Sequence, residues 1–207
     1  MKALRKGSRP ICAMAVVIAS VAAVLLPAPA TYATPMLFGG TLSGANEIPP
    51  NGSAATGHVT VALDTTAQTI TIDATFTGLG SNDIAAHIHC CAPLGTNVGV
   101  ATTLPAFMGF PLGVTSGSFD QTFSLTDATF YNPAFVTAEG GTIAGAEAAL
   151  EAGIENEMTY FNIHTVNFPG GEIRSELSPI PEPASFWLMS IALLAFGVMR
   201  RWERTNL

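Results

Sequence analysis

The chain has 207 residues, and only 11% of them are charged, whereas glycine (20) and proline (14) are abundant. This composition favours a secreted, mainly β domain and argues against a charged, helical cytosolic protein. Between residues 34 and 180, Arg174 is the only Lys or Arg against 13 Asp and Glu, because the other basic residues lie near the termini. Such an acidic domain repels phosphate backbones, which argues against nucleic acid as a partner.

The first 33 residues have the three parts of a secretory signal peptide. Four basic residues precede an apolar stretch at 11–26, which we expect to form the signal helix, and small residues follow it. We predict cleavage after Ala33; Ala30 is a nearly equal candidate, and an uncleaved anchor is the alternative. Cleavage at either point removes Cys12, so that the exported chain keeps only Cys90 and Cys91.

Residues 34–178 are predicted to form one antiparallel domain, a β-sandwich or a barrel-like sheet. The clearest signal is a hairpin in which residues 57–64 and 68–77 alternate apolar and polar side chains on either side of a turn. Dense alanine and helical spacing of apolar residues predict one inserted helix within 142–156. Further strands are expected at 36–44, around His87 and His89, at 119–125, around His164 and at 172–177, with room for a short one near 98–102.

Two short motifs carry three of the four histidines, Ala86-His87-Ile88-His89-Cys90-Cys91 and Tyr160-Phe161-Asn162-Ile163-His164-Thr165. On a strand, side chains alternate between the faces, so His87 and His89 share one face and His164 lies on the polar face of its own strand. If the two strands meet, the three imidazoles form a metal site, and imidazole suits Cu, Zn, Fe or Ni.

The alternative for these histidines is a structural role. They would then hydrogen-bond to loop backbone and to neighbouring polar side chains, and hold the β layers in register. The side chains available for this are Glu47, Asn162 and Glu172.

Cys90 and Cys91 are adjacent, so they cannot close the long loop of an ordinary disulfide. They form a strained vicinal bridge, pair with another chain, stay reduced or add thiolates to the histidine site. Sulfur beside imidazole would favour Cu(I) or Zn. No cofactor is required by the sequence, and Cu or Zn is the cofactor that these residues would suit.

Arg174 is predicted to form an ion pair that stabilises the fold. Glu172, two residues away, is the predicted partner, with Glu47 and Glu176 as other carboxylates in question, and a ligand-facing arginine is the alternative. The sequence has no nucleophile elbow, phosphate-binding loop or dinucleotide fingerprint, so we assign no catalytic residue.

The last thirty residues form a separate module. Pro181-Glu182-Pro183 begins it, residues 186–199 are apolar and uncharged, and a basic end follows. Fourteen to sixteen apolar residues are short for a spanning helix, which needs about 20. Residues 179–207 resemble the PEP-CTERM sorting signal of Gram-negative bacteria. The resemblance implies an exosortase-type processing enzyme as a partner, transient membrane anchoring through the C-terminal helix, and export to the cell envelope, surface or extracellular matrix. A plain C-terminal anchor is the alternative.

The domain itself resembles a CHRD domain. The resemblance rests on four blocks in order, Leu42-Ser43-Gly44-Ala45-Asn46-Glu47-Ile48-Pro49-Pro50, Ala86-His87-Ile88-His89, Tyr160-Phe161-Asn162-Ile163-His164-Thr165 and Pro169-Gly170-Gly171-Glu172-Ile173-Arg174. It implies a β-rich fold and defines no activity. Cys90-Cys91 and the helical stretch are not part of that pattern.

We therefore expect a non-enzymatic binding or structural module of the cell surface or matrix. Extracellular polysaccharide or a surface protein would be its partner. The alternative is a metal-binding or redox protein that uses His87, His89 and His164. The H-x-H pair is similar to part of the copper site of Cu/Zn superoxide dismutase, but the zinc-loop ligands of that family have no match here.

Overall fold

The structure is a computed structural model, and it describes residues 34–181. The predicted signal helix with its cleavage site at Ala33, the apolar C-terminal helix, Glu182 and Pro183 lie outside the described residues. Between residues 34 and 181, no helix is both long enough and apolar enough to cross a membrane.

Eight antiparallel strands make one sheet that curls into a half-barrel. The strands are β1 (Met36–Ser43), β2 (Thr56–Asp64), β3 (Thr69–Thr77), β4 (Asp83–Cys90), β5 (Gly117–Ser124), β6 (Thr159–Thr165), β7 (Ile173–Glu176) and β8 (Ser178–Pro179). Their order is β4-β6-β7-β1-β2-β3-β5, and β8 pairs with β1. The prediction of a mainly antiparallel β domain is confirmed, and the described chain forms a curled, barrel-like sheet rather than two stacked ones.

The hairpin of β2 and β3 has the predicted alternation. Val59 pairs with Ala74, Val61 with Ile72 and Leu63 with Ile70, all of them buried. Burial of one such side chain contributes about 1.5–3 kcal/mol, which makes a one-residue slip of the register unfavourable.

Two short helices cover the interior face, where one was predicted. The predicted helix is α2 (Ile143–Glu155), and it starts where the Thr142 hydroxyl accepts a hydrogen bond from the Gly145 amide at 3.1 Å. The second helix is α1 (Pro133–Ala138), which begins after Asn132, with proline at its first position. Ala146, Leu150 and Ile154 of α2 are fully buried in the core.

A short strand was predicted near 98–102, between β4 and β5. The structure has isolated β-bridges there instead. Val100 bridges to His89 of β4, and Thr102 bridges to Tyr131. The backbone amide of Cys90 donates to the Gly99 carbonyl at 3.2 Å. Residues 98–100 therefore lie along the edge of β4, next to its two histidines.

Strands β4, β6 and β7 have one apolar and one polar face. Ile88, Phe161 and Ile173 are fully buried among the core residues. Because side chains alternate along a strand, the histidines of β4 and the even-numbered residues of β6 and β7 lie on the opposite face. Loops cover this polar face, and two of them contact the histidines through the backbone carbonyls of Val98 and Pro169.

Candidate metal centre

The fold brings His87, His89 and His164 together on the polar face. Strands β4 and β6 pair so that Ala85 lies opposite His164 and His87 opposite Asn162. The ring centroid of His87 is 4.8 Å from that of His89 and 4.6 Å from that of His164. One ligand nitrogen from each ring lies within 4.8 Å of the others. A single point is then within about 2.8 Å of all three, so movements of under about 1 Å would give the 2.0–2.1 Å of a zinc–nitrogen bond.

Backbone carbonyls determine which nitrogen of two rings is free. His89 Nδ1 lies 2.7 Å from the Val98 carbonyl oxygen, and His164 Nδ1 lies 3.0 Å from that of Pro169. A carbonyl only accepts, so each Nδ1 donates its proton and each Nε2 keeps a lone pair. This is the arrangement in which proteins hold metal-ligating histidines.

Three ring nitrogens in the cluster are buried and have no hydrogen-bond partner, namely His87 Nδ1, His89 Nε2 and His164 Nε2. Buried polar atoms are normally paired. Within residues 34–181, eight buried side-chain atoms lack a partner, and six of them belong to this face. The other three on the face are Glu47 Oε1, Asn162 Oδ1 and Arg174 Nε. The donor set therefore fits a cation that takes three imidazole nitrogens.

Burial keeps the three rings neutral at pH 7. It lowers the pKa of His87 to about 3, and the neighbouring His164 and His89 add to this effect. It lowers the pKa of His89 to about 4 against the opposing hydrogen bond to Val98, and it also lowers the pKa of His164. Neutral imidazole is the form that binds a metal, so the ligands need not lose protons first.

Arg174 and Tyr160 support the cluster from one side. The His89 ring lies parallel to the Tyr160 ring at 4.4 Å between centroids, and the Arg174 guanidinium carbon is 3.6 Å from the same Tyr160 centroid. Arg174 is fully buried, and its Nη1 donates to Asn97 Oδ1 at 2.8 Å. Asn97 directly precedes Val98, whose carbonyl orients His89.

Arg174 forms an ion pair as expected, but with Glu176, one of the other carboxylates considered, and not with Glu172. Glu172 has other partners: its Oε1 accepts from Ser53 Oγ at 2.6 Å and from the Gly80 amide at 2.7 Å, and its Oε2 accepts from Thr165 Oγ1. Glu172 thus joins loops to the sheet and does not face the guanidinium.

Glu47 adds a buried carboxyl group beside the centre. Burial raises its pKa to about 7, the charge of Arg174 and the neighbouring Asn162 side chain oppose this rise, and the charge of Glu176 adds to it. Asn162 lies between Tyr160 and His164 on the polar face of β6, opposite His87.

Cys90 and Cys91 are joined in a disulfide and do not belong to the ligand cluster. Their sulfur atoms lie against helix α2, where the Ala149 carbonyl oxygen is 3.4 Å from Cys91 Sγ. Cys90 follows His89 on the strand, so its side chain points to the other face of the sheet.

Sequence reasoning identified the three histidines but missed the groups that orient them. Val98 and Pro169 act through backbone carbonyls, which every residue has, so no residue type could indicate them. Tyr160 gave a weak signal, since an aromatic residue lies on the same face as His164, four residues earlier.

Comparisons with known proteins identify two families for this chain. The family described as CHRD domain matches residues 38–177, and the PEP-CTERM protein-sorting motif matches residues 179–201. No curated protein and no solved structure matches the chain.

Proposed function

Because the chain belongs to the CHRD domain family and carries a PEP-CTERM sorting motif, we propose that its domain is a metal-binding module of the cell surface or extracellular matrix. The motif marks the protein for processing by an exosortase and for export to the bacterial cell envelope or surface. We assign copper or zinc to His87, His89 and His164, and we assign no catalytic residue.

The observation that carries this proposal is the set of three unpartnered ring nitrogens. Each belongs to a buried, neutral imidazole, and one ligand nitrogen of each ring lies within 4.8 Å of the others. In two of the rings, the other nitrogen already donates a hydrogen bond to a backbone carbonyl. A histidine cluster that served only to hold the strands together would have no reason to leave its remaining buried nitrogens without partners.

The three imidazole ligands limit which metals the site would bind. Three imidazoles without a thiolate suit copper or zinc and disfavour calcium or magnesium, which prefer oxygen ligands. Three protein ligands leave a coordination position open to a further ligand. Copper would supply one-electron chemistry there and zinc a Lewis acid, whereas the residues of this chain bind the ion, orient the rings and exclude water.

A purely structural role for the histidines is the second candidate. The Val98 and Pro169 carbonyls favour it, because they cap two of the rings as such a role requires. A structural role explains why Nδ1 of each capped ring is hydrogen-bonded, but it does not explain why the buried Nε2 has no partner. Binding to extracellular polysaccharide or to a surface protein is compatible with either candidate.

Metal content separates the two candidates. The exported protein, purified without a histidine tag, is expected to hold about one copper or zinc ion per chain. His87→Ala/His89→Ala is expected to hold less than about a tenth of that, because it loses two of three ligands. Elemental analysis measures both, and His58→Ala, on an exposed position of β2, is the matched control.

Two results would contradict the metal proposal. One is wild-type protein without metal after it has been offered copper and zinc and then dialysed. The other is an equal metal content in the double variant and in the His58→Ala control. Circular dichroism of each protein ensures that a lost ion does not reflect a lost fold.

Replacing Pro181, Glu182 and Pro183 together with alanine is expected to leave the tail uncleaved. The reason is that the exosortase would no longer find its recognition motif. The intact mass of the protein from the cell envelope reports the outcome, with Ser178→Ala, just upstream, as the control. Loss of the tail from the motif variant to the same extent as from the wild type would contradict the prediction.

A further inference from the structure

The Cys90–Cys91 disulfide borders a cavity of about 350 Å³. Val98, Gly99 and Val100 line the same cavity, and α1 closes its far side with Phe135 and Ala138. Cys90 is 4% exposed, whereas Cys91 is half-buried, so Cys91 is the sulfur that a molecule in the cavity reaches first.

Helix α2 leaves the two sulfur atoms no room on their other side. A Cβ atom at Gly153 would overlap Cys90 Sγ and would lie 2.8 Å from Cys91 Sγ. The Ala149 carbonyl oxygen, 3.4 Å from Cys91 Sγ, could accept a hydrogen bond from a thiol, which a disulfide cannot donate. The reduced form would therefore find a hydrogen-bond acceptor in place.

The cavity and the histidine centre share one wall. The Val98 carbonyl accepts the hydrogen bond from His89 Nδ1 at 2.7 Å, and Gly99 accepts one from the Cys90 amide at 3.2 Å. Residues 98–100 thus line the cavity beside the disulfide, bond to the Cys90 backbone and, through the Val98 carbonyl, orient a metal ligand.

We propose that Cys90–Cys91 is an exchange site for dithiols and that its redox state sets the metal affinity of His87, His89 and His164. The second half of this inference rests on the proposed metal-binding function, and the first half does not. In an oxidising extracytoplasmic compartment the disulfide is the resting state.

The exchange reaction balances with a dithiol as the reductant. One thiolate of the dithiol attacks Cys91 Sγ, the bond between the cysteines breaks, and Cys90 leaves as a thiolate that takes up a proton. The second thiolate of the dithiol then attacks the first sulfur of the dithiol, which is bonded to Cys91 Sγ in the mixed disulfide. Cys91 leaves as a thiolate and is protonated, so the protein gains two electrons and two protons, and the dithiol becomes its disulfide.

Reduction changes the space that the sulfur atoms need. Unbonded atoms keep about 3.5 Å or more apart, which is farther than two bonded sulfurs. Since Gly153 and α2 close one side, the separating thiols can only move into the cavity that residues 98–100 line, and we expect this to shift the Val98 carbonyl away from His89 Nδ1. Loss of such a partner to a ligating histidine lowers metal affinity by about 10–100-fold.

The first arm of the test concerns the disulfide alone. The native, exported protein is incubated with dithiothreitol, and its free thiols are alkylated and counted by mass spectrometry. Two modified cysteines after treatment and none before support the exchange site. A disulfide that stays intact in the folded protein overturns the inference, whatever the metal result.

The second arm measures zinc affinity by competition with a chelator, because zinc does not oxidise thiols. Reduced protein, freed of dithiothreitol under nitrogen, is expected to bind zinc about 10–100-fold more weakly than oxidised protein. The reduced His87→Ala/His89→Ala variant measures the zinc affinity of the two thiols without the histidine site. Cys90→Ser/Cys91→Ser shows whether the treatment acts through the disulfide, since its affinity should not respond to dithiothreitol.

The possible failures are distinguishable. Equal zinc affinity of oxidised and reduced wild type overturns the coupling and leaves the metal site intact. An equal response of the serine variant to the reductant also overturns it. Absence of zinc and copper binding by the oxidised protein overturns the proposed function itself and, with it, the coupling, but the thiol count still decides the exchange site.

Discussion

Replacing Arg174 with methionine is expected to lower the free energy of unfolding by about 2–4 kcal/mol. Arg174 is fully buried, its Nη1 donates to Asn97 at 2.8 Å, and its Nη2 pairs with Glu176. Methionine fills much of the same volume, but it leaves these two side chains without their partner. It also removes the cation from the Tyr160 ring, a contact that contributes about 2 kcal/mol when it is shielded from water.

Urea denaturation at pH 7 measures this effect. Arg174→Lys keeps the charge but not the planar group with its several donors, so an intermediate loss is expected. Gln121→Met places a methionine at an exposed position of β5 and should change the free energy of unfolding by about 0.5 kcal/mol or less. A loss below about 1 kcal/mol for Arg174→Met, close to this control, would show that the guanidinium contributes little.

Alternation of side chains made much of the sheet predictable. The hairpin was expected at 57–64 and 68–77 and is found at Thr56–Asp64 and Thr69–Thr77. Its polar residues face outward, so a one-residue slip of the register would expose apolar side chains. The helix expected within 142–156 occurs at Ile143–Glu155, because a threonine cap and a run of alanine favour it there.

The neighbours of each strand were not predictable from such local patterns. His87 and His164 meet because β6 pairs with β4, although these two histidines are 77 residues apart along the chain. Pairing over such distances depends on the whole core. Arg174 is a different case, because its partner Glu176 lies two residues away on the same strand; the sequence could not decide between Glu176 and Glu172, which precedes the strand and bonds to Ser53 and Gly80.

Acidification is expected to destabilise the metal-free protein steeply between pH 6.5 and about 4, because buried histidines must take up protons. Burial lowers the pKa of His87 to about 3 and that of His89 to about 4, and it also lowers the pKa of His164. In the unfolded chain the pKa of histidine is about 6.5, so the unfolded state binds more protons below that pH. Stability is therefore complete above pH 6.5 and is lost as the pH falls, by about 1.4 kcal/mol per pH unit for each histidine.

Glu47 is expected to act in the opposite sense. Burial raises its pKa from 4.5 to about 7, and the groups that face it are Arg174 and Glu176 of β7 and Asn162 of β6. Between these values the folded state holds a proton that the unfolded state releases, so this contribution to stability grows as the pH falls toward 4.5. Glu47→Gln removes the compensation, and the loss of stability in acid should become steeper by about 1.4 kcal/mol per pH unit.

Urea denaturation of the metal-free protein from pH 4 to pH 8 tests the direction of both predicted effects of pH on stability, that of the histidines and that of Glu47. His87→Gln should show a slope that is about 1.4 kcal/mol per pH unit shallower than the wild-type slope. His58→Gln, at an exposed position, is the matched control, and equal slopes for the two variants would refute the role of burial. A bound metal ion would hold the rings in their neutral form, so the metal-loaded protein should keep its stability to a lower pH than the metal-free one. That shift should disappear in His87→Ala/His89→Ala, which ties the acid response of the fold to the same three side chains that form the centre.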